Sequence, residues 1–327
     1  MNIHLVSIII PVFNRTHLIA KTLDSVLAQT YTNWECLIID DGSTDQTPQV
    51  VQAYITKDSR FKYVLRSNEY LPGGNGARNY GLKLSLGTYI NFLDSDDILL
   101  PNKLEHQLAL LQSHNANYCI CQTEWIDVTK NLSLGLRSKS ISSHKRLEDY
   151  ICYQIFWSTG APLWKKEFIM THKLQFDETL KQSQEYDFHI KALAIDDNYI
   201  PTAKVLIQLI KHEDNLSNNW MASSEKVISN VLVKANTLKN YNSVLSKKCQ
   251  LKLLEMVTLV YKDQLLLKNY RCAKNVQKML LEMLTHMPVP SSKKTLFYIK
   301  TYVIYWSYII FGKGYKLLKP MYVGKLV

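Results

Sequence analysis

The segment Ile90-Asn-Phe-Leu-Asp-Ser-Asp-Asp97 runs an apolar stretch straight into Asp94, Asp96 and Asp97. Three like charges this close repel one another. A fold keeps such a cluster when something positive sits among them, most often a hard divalent cation held by oxygen ligands. The position just past the carboxyl end of a strand is also where an α/β sheet binds its ligands. The competing reading is a solvated acidic turn capping the helix that starts near Pro101, because Asp is common at turns and N-caps.

Two further segments carry groups of the same kind. Asp40-Asp41-Gly42-Ser43-Thr44-Asp45 follows a short apolar run. A carboxylate at a strand end can accept from the N–H of a nucleobase or from ribose hydroxyls. Turn and cap duty accounts for Asp40 as well as binding does, and for Asp41 less well. Gly73-Gly74-Asn75-Gly76-Ala77-Arg78-Asn79 resembles a phosphate-cradling loop that opens a helix. It is neither a Walker A loop nor a GxGxxG fingerprint. Arg78 sits where a cation opposes the helix dipole, which makes more sense if it reaches a nucleotide.

The elements that must position these groups follow from periodicity. Leu5 to Val12 is a continuous apolar run, the mark of a strand buried on both faces. Helical spacing over 16–29, a strand at 36–39, a helix over 47–55, a strand at 62–66, a helix over 77–85 and a strand at 88–93 follow. Strand and helix alternate, which predicts an α/β fold with a mostly parallel, doubly wound sheet. Beyond residue 100 the spacing predicts a helix over 102–112, a strand over 118–125, a polar Ser-rich loop over 131–144, a helix over 185–194 and an extended run over 199–210. From 225 to 287 the apolar spacing is helical and Gly is absent, which predicts a bundle of two or three helices.

Composition is that of a globular protein, 46% hydrophobic and 20% charged over 327 residues. The net charge of +11 is unevenly placed. Residues 1–214 hold 21 Lys and Arg against 24 Asp and Glu, whereas residues 215–327 hold 18 against 4. The last third therefore faces something anionic. The six cysteines form no CxxC pair and no zinc spacing with His. The chain opens straight into a strand rather than a leader, so a reducing cytoplasm is the expected compartment. No run of about 18 uninterrupted apolar residues predicts a spanning helix.

Taken together, the motifs resemble a known family. Val6-Ser-Ile-Ile-Ile-Pro-Val-Phe-Asn14, Leu23-Asp-Ser-Val-Leu-Ala-Gln29, Ile39-Asp-Asp-Gly-Ser-Thr-Asp45, Gly76-Ala-Arg-Asn79 and Phe92-Leu-Asp-Ser-Asp-Asp97 look like the family 2 glycosyltransferases. Those are inverting enzymes with the GT-A (Rossmann-like) nucleotide-sugar fold. The resemblance covers about residues 4–215. It implies a donor site built from Pro11, Phe13, Asn14 and Asp41, with Asp41 contacting the base, usually uracil. Gly76, Arg78, Asp94 and Ser95 complete it. It also implies a divalent metal, Mn²⁺ or Mg²⁺, bridging the diphosphate, with Asp96, Asp97 and His212 as its ligands.

In that family the catalytic base is often the Asp of a Glu-Asp pair. Here the matching pair is Gln184-Glu185, so the role falls on Glu185, one methylene longer, with Asp187 as runner-up. An acid and its near neighbour two residues on cannot share a helix face. Without the resemblance, both would read as ordinary charges in a first helical turn. Trp157 and Trp164 could stack on an acceptor sugar or fill the core.

The resemblance implies transfer from a nucleotide-sugar, a UDP-sugar favoured, to a saccharide or lipid-linked acceptor in cell-envelope polysaccharide assembly. The implied organisation is a catalytic domain over 1–215 and a basic helical region over 216–327. In that region Tyr298, Tyr302, Tyr305 and Tyr308 recur at helical spacing beside Trp306, among Lys293, Lys294, Lys300, Lys313, Lys316 and Lys319. Such a segment, 292–319, suits the inner leaflet of a membrane and would make the enzyme peripheral at the cytoplasmic face. The alternative is a terminal helix whose tyrosines pack on the bundle. No nucleic-acid motif accompanies the charge. Two rival functions are a nucleotidyltransferase, which would want a basic Gly-rich loop in place of Phe13-Asn14-Arg15-Thr16, and an inactive sugar-nucleotide-binding or membrane-scaffold protein.

Overall fold

The computed structural model describes residues 4–128, 130, 132–212 and 219–314. They form two compact units, one of residues 1–179 with 191–215 and one of residues 180–190 with 216–327.

The first unit is an α/β layer structure on one nine-stranded mixed sheet. Its chain runs β1 (Val6–Val12), α1 (Ile19–Leu27), β2 (Trp34–Asp40), α2 (Thr47–Lys57), β3 (Phe61–Leu65), α3 (Gly74–Leu84) and β4 (Tyr89–Phe92). It continues through β5 (Ile98–Leu99), α4 (Lys103–Ser113), β6 (Tyr118–Asp127), β7 (Leu132–Leu136), α5 (Arg146–Ile151), β8 (Pro162–Lys165) and α6 (Lys166–Thr171). Helix α7 (Gln184–Ile195), whose residues 184–190 belong to the second unit, precedes the last strand of the sheet, β9 (Ile200–Ile210). The strand order is β3-β2-β1-β4-β8-β6-β9-β5, with β7 added beside β6. β1 pairs in parallel with both β2 and β4. The chain thus winds outward through β2 and β3, then returns to the other side of β1. That reversal puts a topological switch point between β1 and β4, the place where open α/β sheets bind ligands.

Every residue of β1, β2 and β4 is buried, so both faces of the central strands are covered. Their β-branched and large apolar residues suit that environment. Helix α3 lies so close that a Cβ on Gly81 would come 2.4 Å from Ile9 Cγ2. Trp157 and Trp164 are core residues: Trp164 stacks on Tyr118 with ring centres 4.4 Å apart, and Trp157 lies against Tyr150 and Tyr199.

The 131–144 segment departs from the loop its composition predicts. Residues 132–136 form β7, antiparallel to β6 and shifted in register between Trp125 and Ile126. Its three leucines give it strand character that the surrounding serines mask.

The second unit is helical. The predicted bundle comprises α8 (Ser224–Tyr241), α9 (Lys247–Leu266) and α10 (Tyr270–Thr285), joined by α11 (Ser291–Phe311). The side chains of Ser223, Ser246 and Asn269 cap the first three helices. Helix α11 buries some of its aromatics in the bundle and exposes others. Phe297, Thr301, Ile304, Tyr305 and Tyr308 are buried, and the Tyr298 hydroxyl donates to the Leu281 carbonyl at 3.1 Å. Leu296, Ile299, Tyr302, Val303, Trp306 and Ile310 are exposed. Lys316 and Lys319 lie outside the described residues. Among the described residues no helix is long and apolar enough to cross a membrane.

Candidate active site

The strand ends at the switch point carry the acidic motifs. Asp40, the last residue of β2, is buried and turns the chain: its Oδ1 accepts from the Gly42 N–H at 2.9 Å and the Ser43 N–H at 2.7 Å. Its Oδ2 accepts from the Tyr63 hydroxyl. Burial, then this carboxylate, pushes the Tyr63 hydroxyl well up. Asp40 therefore does turn duty. Asp41 points elsewhere and forms an ion pair with Arg66, both side chains about nine-tenths covered. Arg66 is anchored by donating to the carbonyls of Ser67 and Tyr70.

The loop after β1 locks onto the same turn. Pro11 pairs with Ile39 within the sheet, and Phe13 beyond it is half exposed. Asn14 takes a left-handed conformation, φ +50°, which Asn tolerates better than most residues. Its Oδ1 accepts from the Thr44 N–H at 2.8 Å, and its own N–H donates to Ser43 Oγ at 2.9 Å. Asp45 accepts from the Thr16 hydroxyl at 2.6 Å and the Thr47 N–H at 2.9 Å. Burial works against ionisation of Asp45, but these hydrogen bonds outweigh it and hold the carboxyl well below the usual range.

The glycine loop opens α3 and is bolted down from behind. A Cβ on Gly76 would come 2.1 Å from the Leu71 carbonyl oxygen, so only glycine fits there. Asn75 donates to the Asp177 carbonyl at 2.8 Å, and Asn79 to the Phe176 carbonyl and Glu178 carboxylate, both at 2.9 Å. These bonds aim the first turn of α3 at the end of β4. There Arg78 pairs with Asp94. The buried Nε of Arg78 has no hydrogen-bond partner among the described residues.

Ser95 and Asp97 are buried in the turn that follows, where the Asp97 N–H donates to the Asp94 carbonyl at 3.2 Å. β5 then pairs antiparallel with β9, Ile98 opposite Gln208. Continuing that register beyond Ile98 runs the end of β9 alongside the acidic turn. His212 Nε2 accordingly meets Asp96 Oδ2 at 2.9 Å, each side chain about one-sixth exposed. Burial and the neighbouring Asp94 push the Asp96 carboxyl up; the His212 hydrogen bond and the Arg15 guanidinium act the other way.

Among the described residues no three His, Cys, Asp or Glu side chains converge as a self-sufficient metal site requires. The Asp96–His212 pair offers two donors with the right chemistry for a cation that takes its remaining oxygens from a diphosphate and water. That is the usual situation for Mg²⁺-type ions in phosphate-handling enzymes. The residues fit a metal on those terms.

The predicted base segment belongs to the second unit. Ser183, in a left-handed conformation at φ +65°, ends the approach to α7. Its hydroxyl accepts from Asn230 Nδ2 at 2.8 Å, and Asn230 Oδ1 accepts from the buried Lys234 ammonium at 2.8 Å. Burial lowers Lys234 to about 7. Glu185 and Asp187 occupy the first turn of α7, both partly exposed.

With this geometry in view, comparison with known proteins is informative. The model of glycosyl transferase family 2 matches residues 7–166. An uncharacterized glycosyltransferase of Rickettsia typhi is 30% identical over 277 residues, 82% of this chain and 83% of the relative. The chain belongs to glycosyl transferase family 2. A second family member, from Escherichia coli, is named as the enzyme transferring glucose from UDP-Glc to GlcNAc-diphosphoundecaprenol in β-1,3 linkage. It is 41% identical over 149 residues, 46% of this chain and 57% of that relative's length. Among solved structures, residues 1–349 of Staphylococcus aureus TarS with UDP-GlcNAc superpose with a TM-score of 0.70 at 19% identity, covering 94% of this chain and 92% of TarS 1–349. A Pyrobaculum calidifontis mannosyltransferase with GDP-Man and Mn²⁺ reaches 0.53 at 14% identity, covering 98% and 87%. Both show that the fold is GT-A.

Within this family 2 site the motifs did not reveal Arg66, Arg15 or the 176–178 segment. Arg66 ends a strand with no motif around it, and its pairing with Asp41 depends on β2 and β3 being parallel neighbours. The clamp on Asn75 and Asn79 joins positions about 100 residues apart, beyond the reach of any local pattern.

Proposed function

We propose that this glycosyltransferase moves a sugar, with inversion, from a UDP-sugar to a saccharide borne on a lipid diphosphate. The setting would be cell-envelope polysaccharide assembly at the cytoplasmic membrane face. The observation that carries the reading is the placement of Asp41–Arg66 at the end of β2 and of Arg78–Asp94 and Asp96–His212 at the end of β4, either side of one switch point. The names of the Escherichia coli relative and of the TarS complex support the donor and acceptor classes.

On this reading Asp41, fixed by Arg66, accepts from the uracil N–H, and Pro11, Phe13 and Asn14 line the same end of the sheet. Asp94 and Ser95 meet the ribose, while Gly76 and Arg78 face the diphosphate. Asp96 and His212, the two members of the Asp96, Asp97 and His212 set that the fold brings into contact, would hold a divalent cation. Such a cation, when bound, offsets the charge that gathers on the departing diphosphate. Glu185 takes the proton of the acceptor hydroxyl as its oxygen bonds to the anomeric carbon; the bond from that carbon to the diphosphate breaks and UDP leaves. Asp187 is the alternative base. The catalytic sequence is then residues 1–215, including the 180–190 segment that belongs to the second unit, and 216–327 a basic region whose exposed apolar face on α11 lies in the membrane interface.

Thermal shift with UDP, GDP, dTDP and CDP, with and without Mn²⁺, tests the donor site. UDP with Mn²⁺ is expected to raise the melting point most; no metal-dependent rise with any nucleotide would sink the proposal. Glu185→Gln is expected to keep the UDP shift and to lose turnover by about 10²- to 10⁴-fold. Unchanged turnover would move the base to Asp187 or elsewhere. Absence of any transfer or donor hydrolysis in the wild type would favour an inactive binding protein.

A further inference from the structure

We infer that the β6–β7 ribbon of the first unit seats on an anionic bilayer surface. All five residues of β7 are exposed, Leu132 at 52%, Leu134 at 46% and Leu136 at 50%. β7 pairs with β6 alone and so presents an open edge. Edge strands are ordinarily blunted with charge or proline; this one carries three leucines in five positions, which the register shift distributes over both faces of the ribbon. Nowhere else among the described residues of the first unit do three exposed large apolar side chains fall within five positions.

The surroundings say what covers it. Residues 128–147 contain five Lys and Arg and no Asp or Glu, whereas the rest of residues 1–214 holds 16 against 24. This ribbon is a basic island on an acidic unit. Arg137 lies over the Phe156 ring at 4.7 Å, and Arg146 donates to the Asp197 carbonyl at 2.6 Å, so both are committed inward. Lys139 and Lys145 are exposed, as is Lys130, whose charge is shared with Asp127. The nearby carboxylates are engaged: Asp127 with Lys130 at 3.8 Å, and Glu124 by Ser133 Oγ and Gln208 Nε2, both at 3.0 Å. Leucines set among lysines match a bilayer interface, with apolar groups below the headgroups and ammonium groups among the phosphates. Pairing this edge with that of a second copy would instead bring two basic rims together.

The ribbon also rises from the right end of the sheet. β6 runs parallel to β9 with Ile126 opposite Ile210. The Lys211 N–H, one residue before His212, donates to the Ile126 carbonyl at 3.0 Å. A membrane held here lies at the same sheet edge as the Asp96–His212 pair. The benefit to catalysis rests on the lipid-borne acceptor proposed above; the surface itself does not.

Co-sedimentation of the full chain with phosphatidylglycerol-containing and with pure phosphatidylcholine vesicles tests this. The wild type is expected to bind the anionic vesicles. Leu132→Ser, Leu134→Ser and Leu136→Ser combined should weaken partitioning about tenfold or more. Lys139→Gln and Lys145→Gln combined should weaken it by roughly fivefold per lysine. Each variant is checked for its UDP-induced melting shift, which keeps failure of the donor reading separate from failure of this one. Wild-type binding by both variants overturns the inference, as does self-association that the leucine variant abolishes. Should the leucine variant misfold, Leu134→Cys in a Cys152→Ser background takes an environment-sensitive fluorophore, the other five cysteines being buried. A blue shift with anionic vesicles supports the contact, and unchanged emission overturns it.

Discussion

Two strand ends in this protein lead into closely spaced aspartates, and the fold treats them differently. At the end of β2, Asp40 is consumed by two backbone N–H groups and a tyrosine hydroxyl, and Asp41 by a guanidinium that is itself anchored. At the end of β4, Asp94 meets an arginine with an unspent Nε, and Asp96 meets an imidazole. An imidazole can give up a proton and serve as a ligand beside the carboxylate it was bonded to. The Asp40-Asp41 pair therefore forms a socket closed by protein groups, whereas Asp94 and Asp96, on either side of Ser95, form the candidate exchangeable site. What separates them is the partner each topology delivers: β3 brings Arg66, whereas the β5–β9 pairing brings His212.

The sharpest way to break this contrast is Asp96→Asn. If the β4 end is the exchangeable site, transfer should fall about 10³-fold while the chain stays folded. Initial rates of donor hydrolysis across a Mn²⁺ titration measure it. A rate within about threefold of wild type would remove Asp96 from the mechanism. Asp41→Asn should cost less, about tenfold in UDP affinity, because it loses one charge-assisted acceptor but keeps the socket's shape. Calorimetric titration with UDP reads it, and Arg66→Ala should weaken binding by a comparable factor. An Asp41→Asn chain with undiminished UDP affinity would make the ion pair purely structural.

How far the sequence reveals this depends on the distance over which each feature is decided. The apolar runs within 5–12 and at 36–39 disclose buried parallel strands because burial on both faces leaves little alternation to conceal them. Asp94, Asp96 and Gly76 are legible because turn chemistry is local. Arg66 is not, since its role exists only once two parallel strands are neighbours. The serines around Leu132, Leu134 and Leu136 hide a strand: on an exposed ribbon neither face must be buried, so composition loses its link to structure. The aromatics of α11 fail differently. Helical spacing places Tyr305 and Tyr308 on one side and Trp306 on another, but which side the bundle covers is a tertiary fact.

Smaller effects sharpen the socket side of the contrast. Asp40→Asn should leave turnover near wild type and lower stability by about 1–3 kcal/mol in urea unfolding, because one carboxylate oxygen becomes an amide facing other donors. A loss of activity larger than the loss of folded protein would mean that Asp40 touches the donor after all.

The smallest effect concerns Asp45, which ties the β1 loop to the β2 turn through Thr16 and Thr47. Burial opposes its charge, but the hydrogen bonds prevail and its folded pKa lies below the unfolded value near 3.9. Such a group contributes stability that is fully present above the unfolded pKa and is lost as pH falls through the folded one. Asp45→Asn should therefore be less stable than wild type at pH 6, by about 1 kcal/mol. The gap should close as pH falls from about 4 toward 2, because only the wild type has a charge to lose. Melting points of the two chains over that range decide it. A gap that stays constant would mean that the amide serves Thr16 and Thr47 as well as the carboxylate does, and that geometry rather than charge holds the loop against the socket.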